Sequence, residues 1–163
     1  MKRTIIMSVM CIMACFTSVF AQENTKKKVL ILCTGNSCRS QIAEGYLRLF
    51  AGDKADIYSA GVETHGLNPG AVATMKEDGI DISTHTSNLF SEYSHMTFDY
   101  VITVCDNAKE RFPEFPAGTK VFHNDFKDPA KATGTEAEIK EAFTTARGII
   151  KDYFENFAKE NLK

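Results

Sequence analysis

Short apolar runs alternate with longer amphipathic segments along most of the chain. Residues 29–32 and 100–105 are almost continuously apolar, as expected for strands that are buried on both faces of a parallel sheet. Two further strands are predicted at 56–61 and 120–123. Strands that alternate with helices predict an α/β fold of three layers, with a four-stranded parallel sheet and ligands at the carboxyl ends of its strands.

Helical periodicity connects these strands. Residues 40–50 carry apolar side chains near helical spacing, and a second helix is predicted from the cap Asn68 to the stop Gly79. The longest amphipathic pattern runs from a capping box at Thr133–Glu136 to about Asn161. Shorter elements are predicted in three places: an extended piece at 80–82, a helix from Ser87 or Asn88 toward His95, and a helical turn at 106–111.

The first 21 residues differ from the rest of the chain. Two basic residues precede an almost uncharged stretch from Ile5 to Phe20, which is short for a membrane-spanning helix of roughly 20 residues. Together with the small residues before a cut after Ala21, this pattern predicts a secretory signal peptide. The alternative is a lipoprotein signal that leaves Cys15 lipidated. We therefore expect a signal peptide at 1–21, one domain at 22–163, and export to a bacterial periplasm or cell envelope.

The charge of the mature chain limits its function classes. The sequence has 19 Lys+Arg and 21 Asp+Glu, and removal of 1–21 would take away two basic residues and no acidic ones, which leaves a net charge of −4. This acidic balance does not indicate a nucleic-acid partner. The four histidines show no ligand spacing relative to the cysteines, so we expect neither zinc nor a bound cofactor.

The segment after the first strand carries the chemistry. Cys33 ends the apolar run, and five small or turn-tolerant residues separate it from Arg39. Such a backbone can direct several N–H groups into one concavity, and the following helix adds the positive end of its dipole. We expect an oxyanion-binding loop formed by Thr34, Gly35, Asn36, Ser37, Cys38, Arg39 and Ser40.

Cys33 is the predicted nucleophile of this loop. A free thiol has a pKa near 8.5, which a helix N-terminus and a neighbouring arginine can lower. We therefore expect Cys33 to be a thiolate, Arg39 to hold a tetrahedral oxyanion through two N–H groups, and the Ser40 hydroxyl to donate to the Cys33 sulfur. A purely structural cysteine is the alternative, but it does not explain the Cys-x5-Arg-Ser spacing between strand and helix.

Residues 33–40 read Cys-Thr-Gly-Asn-Ser-Cys-Arg-Ser, and this segment resembles the signature of the low-molecular-weight tyrosine phosphatase superfamily. Within that superfamily, residues 40–45 and 75–87 look similar to those of thioredoxin-coupled arsenate reductases. The resemblance covers roughly residues 27–160. It implies the low-molecular-weight phosphatase fold, an arsenate or phosphate oxyanion as ligand, and covalent catalysis through Cys33.

Asp128 is the candidate general acid. A leaving oxygen needs a proton, and a loop carboxyl at the edge of the sheet can supply it. The Asp128–Pro129 step also matches the superfamily. The alternative is a simple turn residue, because Asp before Pro favours turns, and Asp125 is the second candidate for the acid.

Cys105 distinguishes two reactions. A phosphatase needs Cys33, Arg39 and an acid, whereas reduction of arsenate to arsenite takes two electrons and hence a second thiol. The resemblance implies that Cys105 is this thiol, and that a third cysteine, reduced by thioredoxin, follows seven positions later. Phe112 occupies that position, so a thioredoxin-like protein or a small thiol must reduce a Cys33–Cys105 disulfide in the active site. A disulfide between Cys33 and Cys38, and a structural role for Cys105, are alternatives.

The predicted function is that of an arsenate reductase-like enzyme, acting as a monomer with an external thiol reductant. One alternative is a phosphatase for phosphotyrosine or small phosphate esters, and another is a non-catalytic module that binds oxyanions or senses redox state. Glu44, Ser59 and Asp81 match positions that hold an alkali cation in some arsenate reductases, but this correspondence alone does not establish a metal site.

Overall fold

The computed structural model describes residues 26–163. The predicted signal peptide, its cleavage site and Cys15 lie outside the described residues. Within 26–163, no helix combines the length and the apolar character needed to cross a membrane.

The centre of the fold is a sheet of four parallel strands in the order β2-β1-β3-β4. The strands are β1 Lys27–Cys33, β2 Ala55–Gly61, β3 Tyr100–Thr103 and β4 Lys120–His123. Residues 29–32 of β1 are completely buried, because β1 is covered on both faces. The predicted α/β class and the four-stranded parallel sheet are confirmed.

Each face of the sheet has its own apolar cluster. Val29, Ile31 and Cys33 of β1 belong to the larger cluster, which includes side chains of three helices: α1 Arg39–Ala51, α2 Pro69–Glu77 and α4 Glu136–Asn161. Leu30 and Leu32 point to the opposite face, where aromatic residues of the segments 90–98 and 112–115 cover them. This alternation produces the three layers.

The helices α1 and α2 begin where the sequence predicts. The Oδ1 atom of Asn68 accepts hydrogen bonds from the backbone N–H groups of Gly70 and Ala71, which satisfies donors at the start of α2. A fourth helix, α3 Asp106–Lys109, forms the predicted turn after β3 but is only four residues long.

Three details of the prediction are wrong. The capping box of α4 joins Thr135 to Glu138 instead of Thr133 to Glu136. The segment toward His95 is a 3-10 helix at Phe90–Tyr93. A longer helix does not start at Asn88, because its backbone carbonyl accepts from the Gly61 N–H at 2.9 Å and Leu89 forms a parallel bridge with Gly61. Residues 80–82 belong to no strand. Finally, β3 ends at Thr103, so Cys105 follows the strand by two residues.

Candidate active site

The loop between β1 and α1 is held by the buried side chain of Asn36. Its Nδ2 atom donates to Ser40 Oγ at 3.0 Å and to Ser59 Oγ at 2.8 Å. Its Oδ1 atom accepts from the backbone N–H of Asn88 at 2.8 Å and from Gln41 Nε2 at 3.2 Å. Asn36 has a φ of 42°, a conformation that asparagine tolerates better than most residues. These bonds fix the curvature that the sequence predicts.

Two glycines allow neighbouring backbone to pack closely on this loop. A Cβ atom at Gly35 would collide with the ring of His65, and one at Gly61 would collide with the carbonyl oxygens of Glu63 and Thr34. The backbone N–H groups of Glu63 and His65 donate to the carbonyls of Thr34 and Gly35 at 3.0 Å each. The loop is therefore supported from the β2 side through its carbonyl groups.

The two cysteines Cys33 and Cys105 lie in contact. Their Sγ atoms are 3.7 Å apart, and the Thr34 hydroxyl lies 3.5 Å from the Cys105 sulfur. Both residues are buried, with 5% of Cys33 and 2% of Cys105 exposed. A disulfide bond is about 2.05 Å long, so a modest shift of these side chains would join them.

The pKa of Cys33 is raised, which corrects the prediction of a thiolate. The main cause is the hydrogen bond with Cys105, followed by burial of the thiol, whereas Arg39 and the backbone N–H of Thr34 act in the opposite direction. Two sulfurs in contact compete for ionisation and titrate as a pair. Sequence spacing places an arginine near Cys33, but it does not reveal the second sulfur.

Arg39 links the loop to the segment that follows β4. Its Nη1 atom donates to the carbonyl of Phe126 at 2.9 Å, and its Nη2 atom donates to Asp128 Oδ2 at 3.0 Å. The Nε atom is buried and has no hydrogen-bond partner among the described residues. A buried N–H without a partner is costly, and a bound oxyanion would satisfy it.

Asp128 lies at the mouth of the loop with one carboxylate oxygen on Arg39. Its other oxygen accepts from the backbone N–H of Ala130 at 3.1 Å, so it also has the turn role that the sequence allows. Asp125 Oδ1 is farther from the guanidinium, at 3.8 Å from Nη1, and accepts from the backbone N–H of Asp106. The geometry favours Asp128 over Asp125 as the acid.

Comparison with known proteins agrees with this geometry. The model of the family "Low molecular weight phosphotyrosine protein phosphatase" matches residues 28–162, which include all the candidate site residues. The chain belongs to this family. Its predicted membership is thereby confirmed.

Within the family, the curated relatives include arsenate reductases. The protein is 46% identical over 135 residues to the arsenate reductase of Oceanobacillus iheyensis, a match that covers 83% of this chain and 97% of that one. It is also 46% identical over 133 residues to the arsenate reductase of Bacillus subtilis, with 82% and 96% covered. These values support the arsenate reductase branch predicted from the sequence.

Solved structures show the same fold. The structure of an arsenate reductase in the phosphate-binding state matches with a TM-score of 0.69 and 32% identity, and the match covers 84% of this chain and 99% of that one. An arsenate reductase in the oxidized state matches with a TM-score of 0.71 and 32% identity, covering 82% and 98%. The low-molecular-weight phosphatase fold is confirmed.

Ser40 and Cys38 do not contact Cys33 in the way predicted. Ser40 Oγ accepts from Asn36, and no hydrogen bond joins it to the Cys33 sulfur in the described part of the chain. Burial is the main cause that raises the pKa of Cys38 to about 12, so this thiol stays protonated near neutral pH. The sulfur that contacts Cys33 is that of Cys105, which makes Cys105 the better candidate partner.

Each candidate cation ligand is engaged by other groups of the protein. Ser59 Oγ donates to Glu44 Oε2 at 2.5 Å, but the other oxygen of Glu44 accepts from Arg48 Nε at 2.8 Å. Asp81 instead accepts from the backbone N–H of Ser83 on the surface. Across residues 26–163, no group of three or more His, Cys, Asp or Glu side chains is arranged to hold a metal ion.

Phe112 occupies the position where the resemblance implies a third cysteine. Its ring packs edge-on against Phe90, with the ring centroids 5.2 Å apart, and it lies in the aromatic layer over the sheet. A thiol relay from Cys105 to this position therefore has no second sulfur.

Sequence reasoning missed three residues that shape the site. Gln41 Nε2 donates to the carbonyls of Asn36 and Thr86, and Asn88 anchors Asn36 as described above. His123 contacts Asp106, the residue after Cys105, with Nε2 2.9 Å from the carboxylate. The only feature of the sequence that could have indicated these three residues is a polar side chain inside a predicted apolar or turn segment.

Proposed function

We propose that this protein reduces arsenate to arsenite with Cys33 as the nucleophile and Cys105 as the resolving thiol. The observation that carries the proposal is the 3.7 Å contact between the two sulfurs, at the mouth of a loop bound by Arg39. The names of the relatives from Oceanobacillus iheyensis and Bacillus subtilis point to the same reaction. A role in arsenic resistance follows from this chemistry.

In the first step, Cys33 gives its thiol proton to the bound arsenate and its sulfur attacks arsenic, and one arsenate oxygen leaves after taking a proton from Asp128. Arg39 and the N–H groups of residues 34–38 hold the remaining oxygens. The oxyanion-stabilising groups are already in place, because Asn36 fixes the loop. The product of this step is an arsenic(V) ester of the Cys33 sulfur.

In the second step, the Cys105 thiolate attacks the Cys33 sulfur. The new sulfur–sulfur bond forms as the sulfur–arsenic bond breaks, and its electron pair stays on arsenic, which leaves as arsenite. The two thiols thus supply the two electrons. An external thiol must then reduce the Cys33–Cys105 disulfide before the next turnover.

A second candidate function is hydrolysis of phosphate esters. Cys33, Arg39 and Asp128 suffice for it, since water replaces Cys105 in the second step, and the family model is named for phosphotyrosine phosphatases. The third alternative, a non-catalytic oxyanion-binding or redox-sensing module, predicts neither activity. The contact between two buried thiols favours reduction over hydrolysis, and turnover with arsenate distinguishes a reductase from a redox-sensing module.

Parallel assays of one variant test these alternatives. Cys105→Ser should lower arsenite release at least about a hundredfold and leave aryl phosphate hydrolysis within a few-fold of the parent, because only reduction needs the second thiol. Cys38→Ser is the matched control and should retain both activities. Arsenite release at the parental rate by Cys105→Ser would refute the reductase mechanism, and absence of both activities in the parent would favour the non-catalytic module.

We also propose that residues 1–21 are removed as a signal peptide and that the exported protein acts as a monomer. The support is the charge and hydropathy pattern of residues 1–21. Mass spectrometry of protein purified from the periplasm or cell envelope of the native bacterium should find a chain that starts at Gln22. A lipid on Cys15 would favour the lipoprotein alternative, and a chain that starts at Met1 would contradict export.

Sedimentation of the same sample tests the oligomeric state, and it should give the mass of a single chain.

A further inference from the structure

A cleft of about 840 Å³ opens beside Cys105. It lies between the segment 125–133 and α4, and it extends from Arg39 and Cys105 at one end to Ile149 at the other. Cys33 is not among the residues that line it. A molecule in this cleft would therefore meet the Cys105 side of a Cys33–Cys105 disulfide.

We propose that this cleft binds a low-molecular-weight zwitterionic thiol and directs its attack to the sulfur of Cys105. The inference rests on the proposed function only in taking the Cys33–Cys105 disulfide as the oxidised state of turnover. It identifies the class of the reductant and the site of its covalent attachment, neither of which follows from the oxyanion loop.

The exchange balances with two molecules of the thiol. The first thiolate attacks Cys105, so that a mixed disulfide forms on Cys105 while the Cys33–Cys105 bond breaks and Cys33 leaves as a thiolate. The second thiolate attacks the mixed disulfide and releases the oxidised small disulfide and the Cys105 thiolate. Two small thiols are oxidised, and the protein disulfide gains the two electrons.

The surroundings of Cys33 help it to leave as a thiolate. In the reduced protein the pKa of Cys33 is raised, mainly by its hydrogen bond with the Cys105 thiol and then by burial. That hydrogen bond is lost once Cys105 is in a mixed disulfide, while the charge of Arg39 and the Thr34 N–H still act to lower the pKa. A thiol that is easier to ionise departs faster in disulfide exchange, so these groups favour attack at Cys105 from the cleft with departure of Cys33.

The charges along the cleft match a zwitterion. Lys127 and Lys131 line it and form no ion pair with any residue in 26–163, so both can bind carboxylates. Glu141 lines the opposite wall on α4 and can bind an ammonium group. The other four carboxylates of the lining already have partners: Asp125 and Asp128 lie against Arg39, Asp106 against His123, and Glu138 accepts from the backbone N–H of Thr135. A volume of about 840 Å³ lies within the range of small-molecule sites, roughly 300–1,000 Å³.

Burial of Cys105 argues against a protein reductant. Only 2% of this residue is exposed, whereas a protein thiol on a folded surface needs an exposed sulfur to attack. Phe112 offers no relay sulfur nearer to the surface. A small thiol fits within the cleft volume of about 840 Å³.

The experiment begins with purified protein that has been oxidised chemically to the Cys33–Cys105 disulfide, so it does not depend on arsenate turnover. The probe is glutathione, a thiol with two carboxylates and one ammonium group. Excess glutathione is mixed with the protein, the reaction is stopped with acid, and the mixed disulfide is located by peptide mass spectrometry. We expect it on the Cys105 peptide, and an adduct on the Cys33 peptide would overturn the proposal.

The rate of this reduction tests the cleft itself. Lys127→Ser/Lys131→Ser should slow reduction by glutathione about fivefold and leave reduction by uncharged 2-mercaptoethanol unchanged. Lys54→Ser/Lys76→Ser, which removes two exposed lysines outside the cleft, is the matched control and should react like the parent. Equal rates for both double variants, or faster reduction by thioredoxin than by glutathione at equal concentration, would contradict the proposal. Failure of arsenate reduction with attachment at Cys105 would refute only the proposed function.

Discussion

The two cysteine-bearing junctions of the sheet differ in how firmly they are held. After β1, Cys33 leads into a loop that Asn36 bonds to four partners and then into α1 of 13 residues. After β3, Cys105 leads into the four-residue α3, which is anchored by surface contacts of Asp106 with His123 and Asp125. Buried hydrogen bonds of Asn36 fix the first junction, whereas the second continues into a short helix next to a sulfur that already lies 3.7 Å from Cys33.

The largest expected loss of activity comes from a change at the first junction, which follows β1. Cys33→Ser should lower arsenite release and aryl phosphate hydrolysis by at least about a thousandfold, because a serine hydroxyl is not ionised near neutral pH. The side chains are similar in size, so the thermal midpoint should change little. Steady-state assays and thermal unfolding measure both effects, and retention of more than a few per cent of either activity would remove Cys33 from its role.

Arg39→Lys should also lose arsenite release and aryl phosphate hydrolysis, because a point charge cannot replace two parallel N–H donors.

The next largest effect belongs to the acid at the mouth of the loop. Asp128→Asn should slow hydrolysis of an aryl phosphate with a poor leaving group by about a hundred- to a thousandfold, since the amide cannot protonate the departing oxygen. The loss should shrink for substrates whose leaving group needs no proton. Asp125→Asn is the control at the same edge and should lose much less; equal losses for both would mean that charge near Arg39, and not proton transfer, is what matters.

Asn36 tests whether the first junction is preorganised by hydrogen bonds. Asn36→Ala leaves several buried polar groups without partners, so it should destabilise the fold by about 2–4 kcal/mol and lower both activities roughly ten- to a hundredfold. Asn36→Gly removes the same bonds but accepts the positive φ, so it separates the hydrogen bonds from backbone strain. Denaturant unfolding and kinetics of both variants give the comparison. An Asn36→Ala protein with parental activity would show that the loop holds its shape without this network.

The smallest effect is a change in pH dependence. Contact with Cys105 is the main cause that raises the pKa of Cys33, so Cys105→Ser should lower that pKa and populate the thiolate at lower pH. The acidic limb of aryl phosphate hydrolysis should therefore move to lower pH, and alkylation of Cys33 should follow it. Cys38, whose pKa is about 12, should not interfere. If the acidic limb stayed at the same pH or moved to higher pH, the two sulfurs would not compete for the proton.

Sequence predicts the first junction better than the second for a physical reason. The apolar run of β1, the turn residues and Arg39 are local, and they determine a strand, a loop and a helix in one continuous segment. The pKa of Cys33 depends instead on Cys105, which is 72 residues away in sequence. The short helix at Phe90–Tyr93 also depends on a tertiary contact, since the Asn88 carbonyl accepts from the Gly61 N–H at the end of β2. The α4 cap is local, but Thr133–Glu136 and Thr135–Glu138 offer the same pattern two residues apart.

The candidate cation site is another feature that the sequence alone could not predict correctly. Glu44 and Ser59 are neighbours in the fold, but Arg48 takes one carboxylate oxygen of Glu44, and Asp81 bonds to Ser83. Residue types at matching positions could not reveal how each side chain is satisfied. The cleft beside Cys105 was equally invisible, because its walls come from the distant segments 125–133 and 138–149.

The central claim is that the two junctions act together on one oxyanion. Reduced protein should be mixed with arsenate in the absence of any external thiol and stopped after one turnover. We predict about one arsenite per protein chain, a mass loss of two hydrogens, and a disulfide that joins Cys33 to Cys105. Release of no arsenite, or a disulfide between Cys33 and Cys38 with Cys105 still reduced, would contradict the account.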